Sequence, residues 1–442
     1  MKKIIIGLLT IAFLASMLLM GVGCKTETAA ETTAAVTAAE TTAAAETTAA
    51  EDITRFKGQT IIVKCSPDMA MSGLKGKTEE FAKLYGVTVD YNEIGWDVWF
   101  QQSAQILATD EPLDVMGNGK NAWIEFPDKL TPLNDIFPDM FSKMVPELVE
   151  YSTLRGNIMG VPFLPSYQIM FYNKSLFEEA GAKIPETWAE LKSTIKLLND
   201  FNGKFNYVAD WTTENFFLNF ILMMQSSGVK EYQWTGSNLK FNFDAPETIE
   251  TVKYMKSLLD EGLIDPGVLV QIQQEVASLF DQGDLAMMSM WEMYAGFLSD
   301  EAYANTGYFA FPGREKGMTG TLDGHEYLLI PKSAQNPELA AEYIKFIASV
   351  ENTKTRSIVD KSIAVYTEQF TDPEVMEALP FLSVIDMVKG NLADQFPPIK
   401  GTYELRIETA TQIHKALLGE NTAEAACAAL QAYADKQTPV QQ

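Results

Sequence analysis

From Thr60 onward the chain alternates short apolar strands with helical segments, and this alternation restricts the fold more than any other feature. Thr60-Ile61-Ile62-Val63-Lys64-Cys65 reads as a strand, Thr78 to Leu84 as a helix closed by Gly86, and Val87-Thr88-Val89-Asp90-Tyr91 as a second strand. Phe100 to Ala108 is helical, and Leu113-Asp114-Val115-Met116 forms a third strand. Strands separated by helices of this length imply a parallel sheet with crossovers over its faces. Ligands of such sheets collect beyond the carboxyl ends of the strands. That rule points to Ser66 and Asp68, to Trp96 and Trp99, and to Gly117-Asn118-Gly119 with Trp123.

Helix starts are written just as locally. Ser175-Leu176-Phe177-Glu178 and Thr187-Trp188-Ala189-Glu190 both have the spacing of a capping box, and Gly181 ends the first of these helices. Leu191, Ile195 and Leu198 recur at helical spacing behind the second. Asn336-Pro337-Glu338 opens another helix, with a cap and a proline at its first position.

The N-terminus follows a different grammar. Lys2 and Lys3 precede an apolar stretch from Ile4 to Met20, and Gly21-Val22-Gly23-Cys24 follows. This is the pattern of an export signal, residues 1–23, rather than of a permanent span, because no basic stop-transfer cluster comes after it. The cysteine at the cleavage point resembles the bacterial lipobox, with Gly21 where leucine is customary, and makes Cys24 the expected lipidation site. Residues 24–55 repeat Glu, Thr and Ala and carry almost no large apolar side chain, which suits a tether rather than a core. The folded part is expected from about Phe56. Cys65 and Cys427 then remain as two isolated, buried thiols.

Composition bounds the function. Of 442 residues, 47% are apolar and 21% charged, with a formal net charge of -25. Such a field repels nucleic-acid phosphates and anionic lipid, so neither is an expected partner. With only His325 and His414, distant in sequence, no zinc cluster is readable and no metal or cofactor is expected. Gly73-Leu74-Lys75-Gly76-Lys77-Thr78 has its first glycine too near the Gly-Lys-Thr to be a phosphate loop. A glycosidase needs only two suitably spaced carboxylates, and these the abundant Asp and Glu leave open.

The stretch Gly156 to Leu198 carries Gly160-Val161-Pro162, Tyr172-Asn173-Lys174, Leu176-Phe177, Ala180-Gly181 and Pro185-Glu186-Thr187-Trp188. In this order they closely resemble the signature of the family 1 extracellular solute-binding proteins, the group containing maltose-binding protein. Phe280 to Met288, Leu328 to Ser333 and the closing segment from Pro397 to Ala426 resemble the same family.

The resemblance implies an α/β fold of two lobes like that of periplasmic binding proteins, each lobe a mixed or parallel sheet flanked by helices. Chain crossings between the lobes are expected near Pro162 to Ile169, near Ser289 to Trp291 and after Val350. Lobe 1 would comprise residues 56–165 and about 291–350, and lobe 2 residues 166–290 and about 351–442. It further implies a monomer that takes a carbohydrate between its lobes and passes it to the permease subunits of an ATP-binding cassette (ABC) importer, outside the cell and held to the membrane only by its lipid. Trp291, Glu292 and Tyr403 fall at family contact positions, as do Asp210, Trp211 and Glu214; Tyr167 joins them as a candidate. Trp188 is assigned to packing. A cationic or peptide solute, and a secreted glycosidase, are the competing readings.

Overall fold

The computed structural model describes residues 54–69 and 73–440, and residues 56–442 form one unit. The expected export signal, Cys24 and nearly all of the expected tether lie outside the described residues. Strand β1 (Thr60–Cys65) pairs in parallel with β2 (Thr88–Glu93) on one side and β3 (Val115–Asn118) on the other. Helices α1 (Lys75–Tyr85) and α2 (Trp96–Thr109) make the crossovers. The first stops at Gly86, whose φ of 64° is costly for a side chain and whose N–H returns to the Ala82 carbonyl. A short helix, α3 (Asn121–Glu125), follows β3. Strand β4 (Val161–Leu164) and a strand from far downstream complete the sheet, both with buried residues throughout.

A second sheet gathers β5 (Gln168–Asn173), β6 (Tyr207–Val208), β7 (Met287–Trp291) and β8 (Thr306–Phe309) in the order β8-β5-β7-β6. Strand β7 is antiparallel to β5 and parallel to β6. Helix α4 (Trp188–Asn202) opens with the expected capping box, Thr187 accepting from Glu190 N–H while Glu190 reaches back. Ser175 is not a cap: Asn173 takes that role and accepts from Leu176 N–H at 3.0 Å. Helix α5 (Phe216–Ser226) is buried on every side and is the central helix of this half. Around it pack α6 (Pro246–Asp260) and, from the end of the chain, α8 (Thr402–Leu417) with α9 (Ala423–Ala434). Helix α7 (Pro337–Ile347) instead covers the first sheet, against α1.

Trp188 packs as expected, stacked on Tyr254 at 4.6 Å, with its indole N–H donating to Ser226 Oγ at 3.1 Å. Cys65 and Cys427 are buried and unpaired by any disulfide. Among the described residues no helix is long and apolar enough to cross a membrane.

The chain passes from the first sheet to the second at residues 165–167, between β4 and β5. It returns at residues 323–325, between β9 (Thr319–Leu322), a strand of a separate three-stranded sheet packed on α5, and β10 (Glu326–Leu329). Strand β10 inserts between β3 and β4, antiparallel to both. A last passage brings β11 (Leu392–Ala393) beside β9. The crossing expected at Ser289 to Trp291 is therefore displaced: β7 stays in the second sheet through Trp291, and β8 rejoins the same sheet beside β5. Residues 306–309 accordingly sit in the second sheet, not with the first as a boundary at about 291 requires. A fully buried strand such as Met287–Trp291 announces its burial but not the sheet its successor will join.

Candidate functional site

The two crossings run side by side. Gly324 N–H donates to the Ser166 carbonyl at 3.0 Å, and Ser166 N–H donates to His325 Nδ1 at 3.1 Å. Next to them opens a cavity of about 440 Å3, of the size that holds small ligands. The first half contributes Asp68, Trp96, Trp99 and Asn118 to its lining, and Phe100 from the same helix as the tryptophans. Asp210, Glu214, Trp291, Tyr403 and Arg406 enter from the second half, and Ser166, Gly324, His325 and Glu326 from the crossings and the start of β10.

Eight of the thirteen candidate ligand residues thus meet in one cavity: Asp68, Trp96, Trp99, Asn118, Asp210, Glu214, Trp291 and Tyr403. The other five stand behind it. Ser66 donates its hydroxyl to Glu326 Oε2 at 2.7 Å and so holds a lining carboxylate in place. Trp123 is buried edge-to-face on Tyr327 at 5.1 Å, and Trp211 edge-to-face on Phe216 at 6.3 Å; both are core. Tyr167 packs its ring on His325 at 4.9 Å. Glu292 turns away, its Oε2 accepting from Tyr167 N–H at 2.5 Å and from Ser166 Oγ at 3.1 Å. Consecutive residues at a strand end point to opposite sides, so Trp291 and Glu292 do not share the cavity.

Trp291 is held in position by a glycine. A Cβ at Gly324 would lie 2.4 Å from Trp291 Cζ3, so the indole rests directly on the backbone of the second crossing and offers its remaining surface to the cavity.

The polar lining is unevenly satisfied. Asp210 is committed: it accepts from Thr212 N–H and Oγ1 and from Asn215 Nδ2, ordering the entry to α5. Among the described residues Asp68 accepts from Trp96 Nε1 at 3.2 Å, and burial pushes its pKa up to about 6. Glu326 is raised well above the usual carboxylate range, first by burial and then by the Asp68 charge beside it. This pair therefore favours keeping a proton and can both donate to and accept from a ligand. Burial lowers His325 to about 3, so it is neutral, and its 3.6 Å approach to Asp323 is no ion pair. Arg406 Nη2 donates to the Glu214 carbonyl at 3.0 Å, and its guanidinium lies 5.1 Å over the Phe100 ring. Burial lowers its pKa to about 10, which leaves it charged at neutral pH.

Behind the cavity, Lys120 and Asp394 form a buried pair at 2.7 Å that joins the first half to the second. Tyr232 donates to the same carboxylate oxygen at 2.6 Å, and Glu231 accepts from Asp394 N–H at 2.8 Å. Among the described residues no group of three or more His, Cys, Asp and Glu side chains is arranged to hold a metal ion.

Sequence reading missed Phe100, Asn121, Glu326 and Arg406. Two of them had a signal: Phe100 lies four residues after Trp96 and Arg406 three after Tyr403, each on the helix face its neighbour already marked.

Comparison with known proteins agrees with this geometry. A family model described as bacterial extracellular solute-binding protein matches residues 68–354. A Brucella abortus protein named only as a binding protein is 27% identical over 270 residues, 59% of this chain and 64% of that one. The chain thus spans about 64% of the length of that relative. The sn-glycerol-3-phosphate-binding periplasmic protein of Rhizobium meliloti is 26% identical over 221 residues, 48% of this chain and 50% of its own. In structure, the chain is similar to maltose-bound MalE3 of T. maritima, with a TM-score of 0.79 at 22% identity over 85% of this chain and 99% of that one. It is also similar to a ribitol-bound solute-binding protein of Agrobacterium radiobacter K84, with a TM-score of 0.74 at 19% identity over 86% and 99%. At these identities the likeness speaks for the two-lobed fold, and the family match carries the assignment: the chain belongs to the bacterial extracellular solute-binding proteins.

Proposed function

We propose that this protein captures a carbohydrate between its lobes, outside the cell, and hands it to the permease of an ABC importer without chemical change. One observation carries the reading: flat aromatic rings and hydrogen-bonding groups converge on a single cavity at the crossings between the two sheets. A sugar presents C–H patches on its ring faces and hydroxyls at its edges. Trp96, Trp291 and Tyr403 suit the faces, and Asp68, Asn118 and Glu326 the hydroxyls. The structures of similar proteins hold maltose in one case and ribitol in another. No pair of carboxylates needs to be assigned to bond cleavage for this role, and we assign none. We further propose a monomer, tethered through an acylated Cys24; a Cys24→Ser variant recovered in the membrane fraction with an unmodified N-terminal mass would refute the anchor.

Calorimetry with neutral sugars, polyols and organic cations, at low and high salt, tests the ligand class. A neutral sugar should bind with an affinity that salt hardly alters, since no ligand charge is screened. Binding only to a cation, with strong salt dependence, would move the assignment to the Asp68 and Glu326 carboxylates acting as counter-charge.

A further inference from the structure

We infer that a buried charge cluster beneath the cavity is a proton-operated latch between the two halves of the molecule, shut while it holds protons and released when it loses them. The inference goes beyond solute capture and does not depend on which solute is captured. Three carboxylates, Asp323, Asp394 and Glu231, are gathered there, all of them buried. Among the described residues the cation that acts on them is Lys120, itself buried.

The members come from separate parts of the chain. Lys120 follows β3 and belongs to the first half, and Asp323 stands in the second crossing. Asp394 follows β11 in the last passage, and Glu231 leads into the strand Tyr232–Thr235 of the second half. Three of them adjoin cavity residues in sequence: Gly119 and Asn121 flank Lys120, Gly324 follows Asp323, and Gln395 follows Asp394. The cluster is thus the underside of the cavity floor, at the place where the halves are joined. A hinge movement of one half against the other bears directly on it.

Its charges do not balance. Asp394 is well provided, with Lys120 Nζ at 2.7 Å and the Tyr232 hydroxyl at 2.6 Å on Oδ2, and Phe396 N–H at 2.9 Å on Oδ1. Glu231 Oε1 accepts from Asp394 N–H, while its Oε2 has no partner among the described residues. Asp323 accepts from His325 N–H at 3.1 Å, and the His325 ring is neutral. The remaining titratable groups that face the cluster are phenols: Tyr151, with its ring 5.6 Å from Lys120 Nζ, Tyr167 and Tyr327. Three ionised carboxylates against one ammonium would leave two negative charges buried without compensation, at a cost of several kcal/mol each. Two remedies exist: the cluster keeps protons while buried, or it admits water and ionises. Burial and the Asp394 charge raise Glu231 to about 8 and Asp323 to about 7. The shut cluster therefore binds protons that a wetted one releases. Its advantage is complete below about pH 4 and is lost as pH rises through about 7 to 8.

The test needs no ligand. Spin labels go on Leu84→Cys in the first half and Val270→Cys in the second, both exposed positions, in the full chain carrying Cys24→Ser. Cys65 and Cys427 are buried and stay unlabelled. Pulsed electron-spin resonance then reads the distance between the halves at about pH 5, 7 and 9. A longer distance should gain about tenfold or more over the shorter one across this range, the effect of a single pKa unit. Glu231→Gln combined with Asp323→Asn accepts the same N–H bonds but cannot ionise, and should keep the shorter distance at every pH. Asp68→Asn combined with Glu326→Gln removes the acid pair of the cavity wall and should still lengthen. A distance indifferent to pH overturns the latch. So does lengthening that persists without the Glu231 and Asp323 carboxyls, or that vanishes with the acid pair. Should the first double variant fail to fold, its two single substitutions should each reduce the shift, and an undiminished shift in both overturns the latch equally.

Discussion

Replacing Glu292 by Gln separates a residue that holds the crossings from one that holds the ligand. The Glu292 carboxyl is fully buried, bound to Tyr167 N–H and Ser166 Oγ through Oε2, while Oε1 has no partner among the described residues. Burial raises its pKa from 4.5 to about 8, against the opposing effect of those bonds. Between these two values the folded protein keeps a proton that the unfolded chain has released. Stability contributed by this group is therefore complete below about pH 4.5, falls as pH rises, and is fully lost above about pH 8. At about 1.4 kcal/mol per pKa unit the loss is on the order of 5 kcal/mol. Gln copies the neutral acid and cannot ionise. Urea denaturation followed by tryptophan fluorescence should find Glu292→Gln within about 1 kcal/mol of the parent near pH 4.5, and several kcal/mol more stable near pH 9. Asp323 and Glu231, raised by burial and by the Asp394 charge to about 7 and about 8, act in the same direction, so the variant removes part of the slope. Sugar affinity should hardly change, because the carboxyl faces away from the cavity. Parallel pH profiles for the two proteins, or a large loss of affinity, would refute this account of Glu292.

Trp291→Ala should weaken ligand binding by roughly 30-fold or more, because it strips a ring from a desolvated wall, while unfolding stability changes less; calorimetry and melting together check this. Trp188→Ala should do the opposite: it loses the Tyr254 stack and the bond to Ser226, costing about 3–5 kcal/mol in urea denaturation with ligand affinity retained. Lys120→Met should cost about 3–5 kcal/mol near neutral pH, since it leaves Asp394, Glu231 and Asp323 buried without their cation. A loss below about 1 kcal/mol would refute this account of the buried pair.

The elements nearest the start of the fold were legible because their signals are local. Strand β1 runs over the residues its apolar pattern marks, α1 ends at the glycine that marks its end, and Thr187 caps α4. The Tyr172-Asn173-Lys174 and Pro185 to Trp188 signature placed the chain in its family. What stayed illegible depends on contacts made across the sequence. Trp99, Trp123 and Trp211 are all buried tryptophans, yet only the first lines the cavity, because position beyond a strand end does not say which way a ring turns. Glu292 follows a lining residue and points the other way. Gly324 carries no chemical signal of its own; its importance comes from Trp291, which lies on it from a strand more than thirty residues earlier. The second crossing was misplaced for the same reason, since nothing in Met287–Trp291 tells that β8 returns to pair with β5.

The position of β10 governs how this chain can be made. It is an inner strand of the first sheet, between β3 and β4, but about 160 residues separate it from the end of β4. As the polypeptide emerges from its N-terminus, the early strands can meet, yet the gap between β3 and β4 stays open until Glu326–Leu329 arrives. During that interval two strand edges are exposed that native packing will hide, and such edges invite pairing with other chains. Closing so long a loop also makes the step slow. The first sheet is thus finished only after much of the second half has been synthesised. A nascent fragment ending before residue 326 should be sticky and easily proteolysed rather than a stable half-protein.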